Sequence, residues 1–165
     1  MEVLFGLINR RTCRVVSNMP YAVADIKGSY KYPDITGKVK FYDFKDGSLI
    51  RLEVMGLPST NKNNFFGFHI HENYKCVDGE TPFESAGSHL NSENDEHPNH
   101  LGDLPIIYSN NGYAYMEFYT SRFKPSKVVD TSVIIHREID DLKTNPAGNS
   151  GERIACGQII KLKLS

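Results

Sequence analysis

The sequence predicts an all-β fold, a sandwich or barrel of short strands around one core. Three observations carry this. Apolar runs of strand length are rich in Val, Ile, Tyr and Phe, turn residues separate them at short spacing, and no long stretch keeps a helical period. At 165 residues the chain has the length of one domain, enough to bury a core without a staple.

Taken in order, the strand candidates are 22–28, 37–42, 49–54, 65–71, 113–119, 132–136 and 157–163. Their β-branched and aromatic residues suit a pleated, half-buried surface. The fifth has the clearest entry: Asn111-Gly112 precedes the alternating run Tyr113-Ala114-Tyr115-Met116-Glu117-Phe118, a hairpin signal. Two stretches break the rhythm. Residues 72–112 and 137–155 carry Asn, Glu, Gly, Ser and Pro with little strand pattern, and long loops on a compact β scaffold are where function concentrates.

Bulk charge narrows the partners. The net charge is −1 and the lysines and arginines are scattered, so nothing recommends nucleic acid or an anionic membrane. No run of eighteen apolar residues offers a spanning helix. The apolar opening, Met1 to Ile8, is short and lacks the basic flank and cleavage site of a secretory signal. The three cysteines, Cys13, Cys76 and Cys156, fit either one pair with a spare thiol or three buried thiols.

The histidines are the informative residues. All six fall into His69-Ile70-His71, His89, His97-Pro98-Asn99-His100 and His136, and histidine is the commonest metal-ligating side chain. His69 and His71, two apart in a strand, leave the same face. His97 and His100 sit in a loop stiffened by Pro98, with Asp103 three residues on. Three ring nitrogens and a carboxylate suit tetrahedral zinc, whereas an all-nitrogen set suits copper, and His136 would complete the latter. His89 lies between the two groups and could belong to either, and because a ring has two nitrogens a deprotonated His89 could also hold one metal on each.

Five separated segments then acquire a family likeness. Gly67-Phe68-His69-Ile70-His71-Glu72, Ala86-Gly87-Ser88-His89-Leu90-Asn91, His100-Leu101-Gly102-Asp103-Leu104-Pro105, Ile134-Ile135-His136 and the run from Gly148 through Gly157 resemble, in order, the signature segments of copper,zinc superoxide dismutase. The likeness covers roughly residues 22–162 and leaves 1–21 as an N-terminal extension of a single domain. It implies a Greek-key β-barrel with the metals held outside it by two long loops. It implies copper on His69, His71, His89 and His136, and zinc on His89, His97, His100 and Asp103, with His89 bridging.

Further roles come with the resemblance. Asp140 matches the carboxylate that accepts hydrogen bonds from one ligand of each metal, fixing ring orientation and basicity. Cys76 and Cys156 match the intrasubunit disulfide, which leaves Cys13 a free thiol. Arg153 matches the arginine that flanks copper and holds the substrate anion. The implied reaction converts two superoxide ions to dioxygen and hydrogen peroxide by Cu(II)/Cu(I) cycling, with zinc structural and His89 both ligand and acid. Superoxide is the implied substrate, and a homodimer is an assembly the resemblance permits.

The chain also departs from the eukaryotic members. Only two residues separate His97 from His100, the loop between Asp140 and Arg153 is abbreviated, and Ala147 stands where many relatives have threonine. The compact segment around His97–Pro105 looks more like bacterial members, and electrostatic steering is expected either to be weaker than in the eukaryotic members or to come from other side chains such as Lys75 or Lys143. Steering and diffusion-limited turnover of superoxide dismutase are themselves established examples of these effects. The alternative function is a non-enzymatic copper- or zinc-binding module on the same scaffold. Such relatives lose copper ligands or the arginine, and this chain keeps all of them. The disulfide favours an oxidising compartment and the opening residues favour the cytoplasm, which is the expected location.

Overall fold

The structure, a computed structural model, describes residues 19–59 and 64–162. Among these residues there are nine strands: β1 (Ala22–Gly28), β2 (Thr36–Phe44), β3 (Gly47–Met55), β4 (Phe65–Phe66), β5 (Phe68–His71), β6 (Ile107–Tyr108), β7 (Ala114–Thr120), β8 (Ser132–His136) and β9 (Arg153–Lys161). Seven form one antiparallel sheet in the order β5-β8-β9-β1-β2-β3-β7, and β4 pairs with β6. Non-consecutive neighbours (β3 with β7, β5 with β8, β1 with β9) make the connections Greek-key in kind.

The sheet curls around one apolar core. Strand alternation supplies it: Ala22, Ala24 and Ile26 from β1, Val39 and Phe41 from β2, and Ile50, Leu52 and Val54 from β3 point inward. Outward positions hold charge, as in the cross-strand pair Arg51–Glu117, at 2.7 Å in direct register. At the β5-β8-β9 end both faces are covered, so every residue of β5 and β8 is buried. Phe68, Ile70, Val133 and Ile135 belong to the core. Their neighbours His69, His71, Ile134 and His136 therefore face the other way, under the loops. Ile134 forms a second apolar cluster there with Phe83, Ala86 and Cys156.

The all-β prediction holds, with four local corrections. The run 65–71 is two strands: at Gly67 the chain leaves β4, and its N–H bonds Glu138 O (2.8 Å) while its carbonyl accepts from His136 N (2.8 Å). A Cβ on Gly67 would crowd Ser150 and His136. The second correction is β6, which lies inside the stretch read as loop and is too short to leave a pattern. The third concerns Asn111-Gly112, which forms the expected two-residue turn, with φ of 51° and 81° and reciprocal bonds between Asn110 and Tyr113. It does not close one ladder, because β6 pairs with β4 and β7 pairs with β3. The fourth correction is the start of the last strand at Arg153 rather than 157, which puts Arg153 on the scaffold opposite His136. Cys13 lies outside the described residues. Among those described, no helix is long and apolar enough to cross a membrane.

Candidate metal centre

Strand β5 is an edge of the main sheet, and residues 72–106 fold back along it. Ile70 N donates to Gly102 O, Leu90 N to Ile70 O and Gly102 N to Leu90 O, each at 2.8 Å. This seam satisfies an otherwise open edge. It also sets His89 opposite His71 and Asp103 opposite His69. Gly102 is required at the seam, since a Cβ there would overlap the Ile70 carbonyl oxygen. His136 arrives from the end of β8, where a register shift follows Ile135.

Two donor groups result, both fully buried: His69, His71, His89 and His136, and His89, His97, His100 and Asp103. Within each, the ligand atoms lie within 4.8 Å of one another, and His89 is common to both. All seven residues expected as ligands are therefore brought together.

Partners that can only accept fix which ring nitrogens are free. His71 Nδ1 donates to Gly87 O at 2.9 Å and His136 Nδ1 to Gly151 O at 3.2 Å. Their Nε2 atoms, 3.3 Å apart, are then two facing lone pairs. Asp140 takes His69 Nε2 at 2.6 Å on one oxygen and His97 Nε2 at 2.8 Å on the other. That leaves Nδ1 of both rings without a hydrogen, and His97 Nδ1 faces Asp103 Oδ2 at 3.2 Å. His100 Nδ1 approaches the same oxygen at 3.2 Å.

Convergent lone pairs in a dry site repel unless a cation lies between them. The buried atoms without a hydrogen-bond partner agree: His69 Nδ1, His89 Nε2, His97 Nδ1 and His100 Nδ1 are four of the six among the described residues. The first group offers four nitrogens, as copper prefers, and the second three nitrogens and a carboxylate, as zinc prefers. The residues fit both metals.

Burial reinforces this. Desolvation first, then the neighbouring His136 and His89, push the His71 imidazole well below the ordinary histidine range. Desolvation and His69 do the same to His136. Neutral rings are ligand-ready. For Asp140, burial alone would raise the pKa, but hydrogen bonds from His69, the Leu142 backbone and His97 outweigh it and hold the carboxyl at about 2. Gly148 (φ 60°) makes room for this carboxylate, because a Cβ there would overlap Asp140 Oδ1.

Above the first group opens a cavity of about 460 Å³, lined by His71, His89, His136, Arg153, Glu72 and a rim of neutral side chains including Asn91, Asn94, Asn145 and Asn149. Among the described residues, Arg153 is the one cation in this lining and Glu72 the one carboxylate. The guanidinium is half-buried and clamped by carbonyls, Nη1 to Phe83 O and Nη2 to Gly87 O, both at 2.7 Å. Burial lowers its pKa, with Glu84 opposing, yet an arginine stays charged at neutral pH. The carbonyls are held in turn by the Cys76–Cys156 disulfide, whose Cα atoms are 5.7 Å apart, and by the cluster of Phe83 and Ala86 on Ile134 and Cys156.

The sequence profile of the family described as copper/zinc superoxide dismutase (SODC) matches residues 35–159. The chain belongs to the copper/zinc superoxide dismutase family. Membership brings the family's reaction, dismutation of superoxide, and its cofactors, copper and zinc. A copper-zinc superoxide dismutase of Deinococcus radiodurans is 39% identical over 142 residues, 74% of this chain and 76% of its own. Among solved structures, a double mutant of a superoxide-dismutase-like protein from Bacillus subtilis aligns with TM-score 0.70 at 32% identity, covering 84% of this chain and 96% of its own. The Cu/Zn superoxide dismutase of Brucella abortus has the same fold (TM-score 0.70, 24% identity, 83% and 98% covered).

In this dismutase Lys75 and Lys143 are exposed and do not line the cavity, and among the described residues Arg153 is the cation that does. The sequence reading also passed over the parts that act through backbone: the Gly87 carbonyl, which receives both His71 and Arg153, and the Asn145 side chain, whose oxygen accepts from His97 N at 2.7 Å. Carbonyls carry no residue identity. The glycines beside them were the available signal.

Proposed function

We propose that His69, His71, His89 and His136 hold the copper of this dismutase, that His89, His97, His100 and Asp103 hold its zinc, and that Arg153 captures the superoxide anion. When bound, copper supplies one-electron oxidation and reduction, and zinc, which has no redox chemistry, fixes the loop and the shared ring. Two superoxide ions and two protons give one dioxygen and one hydrogen peroxide.

The chain's own residues do the rest. Arg153 presents a fixed positive charge at the cavity floor beside the first ligand group, where a small anion comes to rest. The carbonyl clamp keeps the guanidinium pre-oriented, so little order has to be gained on binding. His89 Nε2 is the atom suited to carry a proton to the product, since it faces the first group while Nδ1 stays with the second, 2.8 Å from Asp103 Oδ1. Asp140 keeps His69 and His97 turned so that their free nitrogens face opposite groups.

One observation carries this reading: among the described residues, His89 alone belongs to both candidate ligand groups. The test is copper paramagnetic resonance with cobalt(II) in the second site. A shared imidazolate couples the two spins and quenches the copper signal. An unchanged copper signal at full cobalt occupancy would mean two independent sites and would overturn the assignment of His89.

A further inference from the structure

We propose that Arg122, which belongs to neither ligand group, is the positioning residue of the zinc-holding loop. It lies two residues beyond β7, and its guanidinium reaches across to the segment 98–103. Nη1 donates to Asp103 O at 3.0 Å and His100 O at 3.1 Å, and both terminal nitrogens approach Pro98 O, at 3.4 and 3.5 Å. Two of these three carbonyls belong to residues of the second group, so one side chain fixes the backbone on which the His100 ring and the Asp103 carboxylate are mounted.

The segment needs such a fixing. Only Gly102 within it, and Leu90 well before it, are tied into the seam along β5. Between them the loop is held by short-range bonds, among them Asp95 N to Asn91 Oδ1, Asn99 N to Glu96 O and His100 N to Asp103 Oδ2, and by the Asn145 contact to His97. Arg122 ties it to a different strand, β7, at the far edge of the sheet. The chemistry suits arginine, whose donors diverge in a rigid plane and can serve several carbonyls at once; an ammonium is a point charge that cannot hold that fan.

Arg122 is exposed and lines a surface cleft of about 300 Å³ with Pro98, Leu104 and Phe118, so replacing it opens no cavity in the core. Its loss acts through the loop. Partners that orient metal ligands commonly change metal affinity by about 10–100-fold when removed, and that is the effect expected here.

The inference rests on the zinc assignment above, and its test separates the two. The copper- and zinc-loaded parent, Arg122→Gln and Arg122→Lys are each titrated with a zinc chelator. Cobalt(II) is then placed in the second site and its visible bands are recorded. Arg122→Gln is expected to release zinc about 10–100-fold more readily and to shift the cobalt bands at saturation. Arg122→Lys falls between it and the parent, and stands in if the glutamine variant does not fold. A core variant, Leu52→Ala, controls for global destabilisation and is expected to leave the cobalt bands in place. Parent-like zinc retention and cobalt bands in the Arg122 variants would overturn the proposal, as would an equal band shift in Leu52→Ala. A parent that takes up no zinc or cobalt would instead overturn the zinc assignment itself.

Discussion

At the scale of single residues, the site is governed by which nitrogen of each ring is already engaged. Asp140 shows the principle, since one carboxylate accepts from a ring of each ligand group. Asp140→Asn replaces one acceptor with an amide N–H that faces a ring N–H. Both metals are then expected to bind about 10–100-fold more weakly, which competition with chelators will measure. Arg153 has a different role, because it touches the anion rather than a ligand. Arg153→Gln removes charge-assisted hydrogen bonding to the substrate and should lower kcat/KM by about 10–100-fold with metal content unchanged. A parallel loss of copper would reassign Arg153 to holding the ligand carbonyls.

At the scale of elements, the two long loops are built differently. Residues 72–106 are sewn to the edge of β5, and the residues around Asp141 are organised by side chains. Asp141 accepts from Thr144 Oγ1 (2.6 Å), Thr144 N (2.8 Å), Asn149 Nδ2 (2.9 Å) and Lys143 N (3.0 Å). The Thr144 side chain first, then the Thr144 and Lys143 amides and Asn149, lower its pKa from 3.8 to about 2. A carboxyl depressed on folding stabilises fully above its unfolded pKa and loses that contribution as pH falls through the folded value. The loop is therefore expected to loosen between about pH 4 and 2. Carbon-detected titration of Asp141, followed with the Thr144 and Asn149 signals, checks this; a midpoint near 4 would contradict it.

The same scale shows what could be read from residues alone. All seven candidate ligands are legible because five histidines and an aspartate crowd into 35 residues, which surface polarity does not explain, and the family resemblance sorts them into two sets. The strand break at Gly67 was not legible, because the apolar pattern runs on through Phe65-Phe66-Gly67-Phe68 while the hydrogen bonding changes partner. β6 was hidden by its length of two residues. Arg122 is not legible for a third reason, because what it holds is backbone carbonyls, which the side-chain alphabet does not record, and Gly148, although part of the family-like run, gives no sign of the space it leaves for Asp140. Gly148→Ala is accordingly expected to displace Asp140 and weaken both sites, and metal content after chelator challenge will show it.

For the whole molecule, the disulfide joins the metal loop to β9 across a sequence separation of 80 residues. Closing such a loop is worth roughly 4–5 kcal/mol by chain entropy. Cys156→Ser is expected to lower unfolding free energy in denaturant by about 2–5 kcal/mol and, by loosening Phe83 and Gly87, to reduce activity more than metal content. The barrel thus does three things at one end: β5 and β8 mount three of the candidate ligands, His69, His71 and His136, β9 mounts Arg153, and the loop that covers them is fastened at both the seam and the disulfide.

The central claim, that these seven residues form one bimetallic dismutase centre, is tested most directly by metal content and superoxide dismutation on the same purified samples, wild type beside His136→Ala. Equimolar copper and zinc are expected in the wild type with dismutation far above that of free copper, and loss of copper and activity with zinc retained in the variant. Stoichiometric metal in the wild type with no more activity than free copper would contradict it.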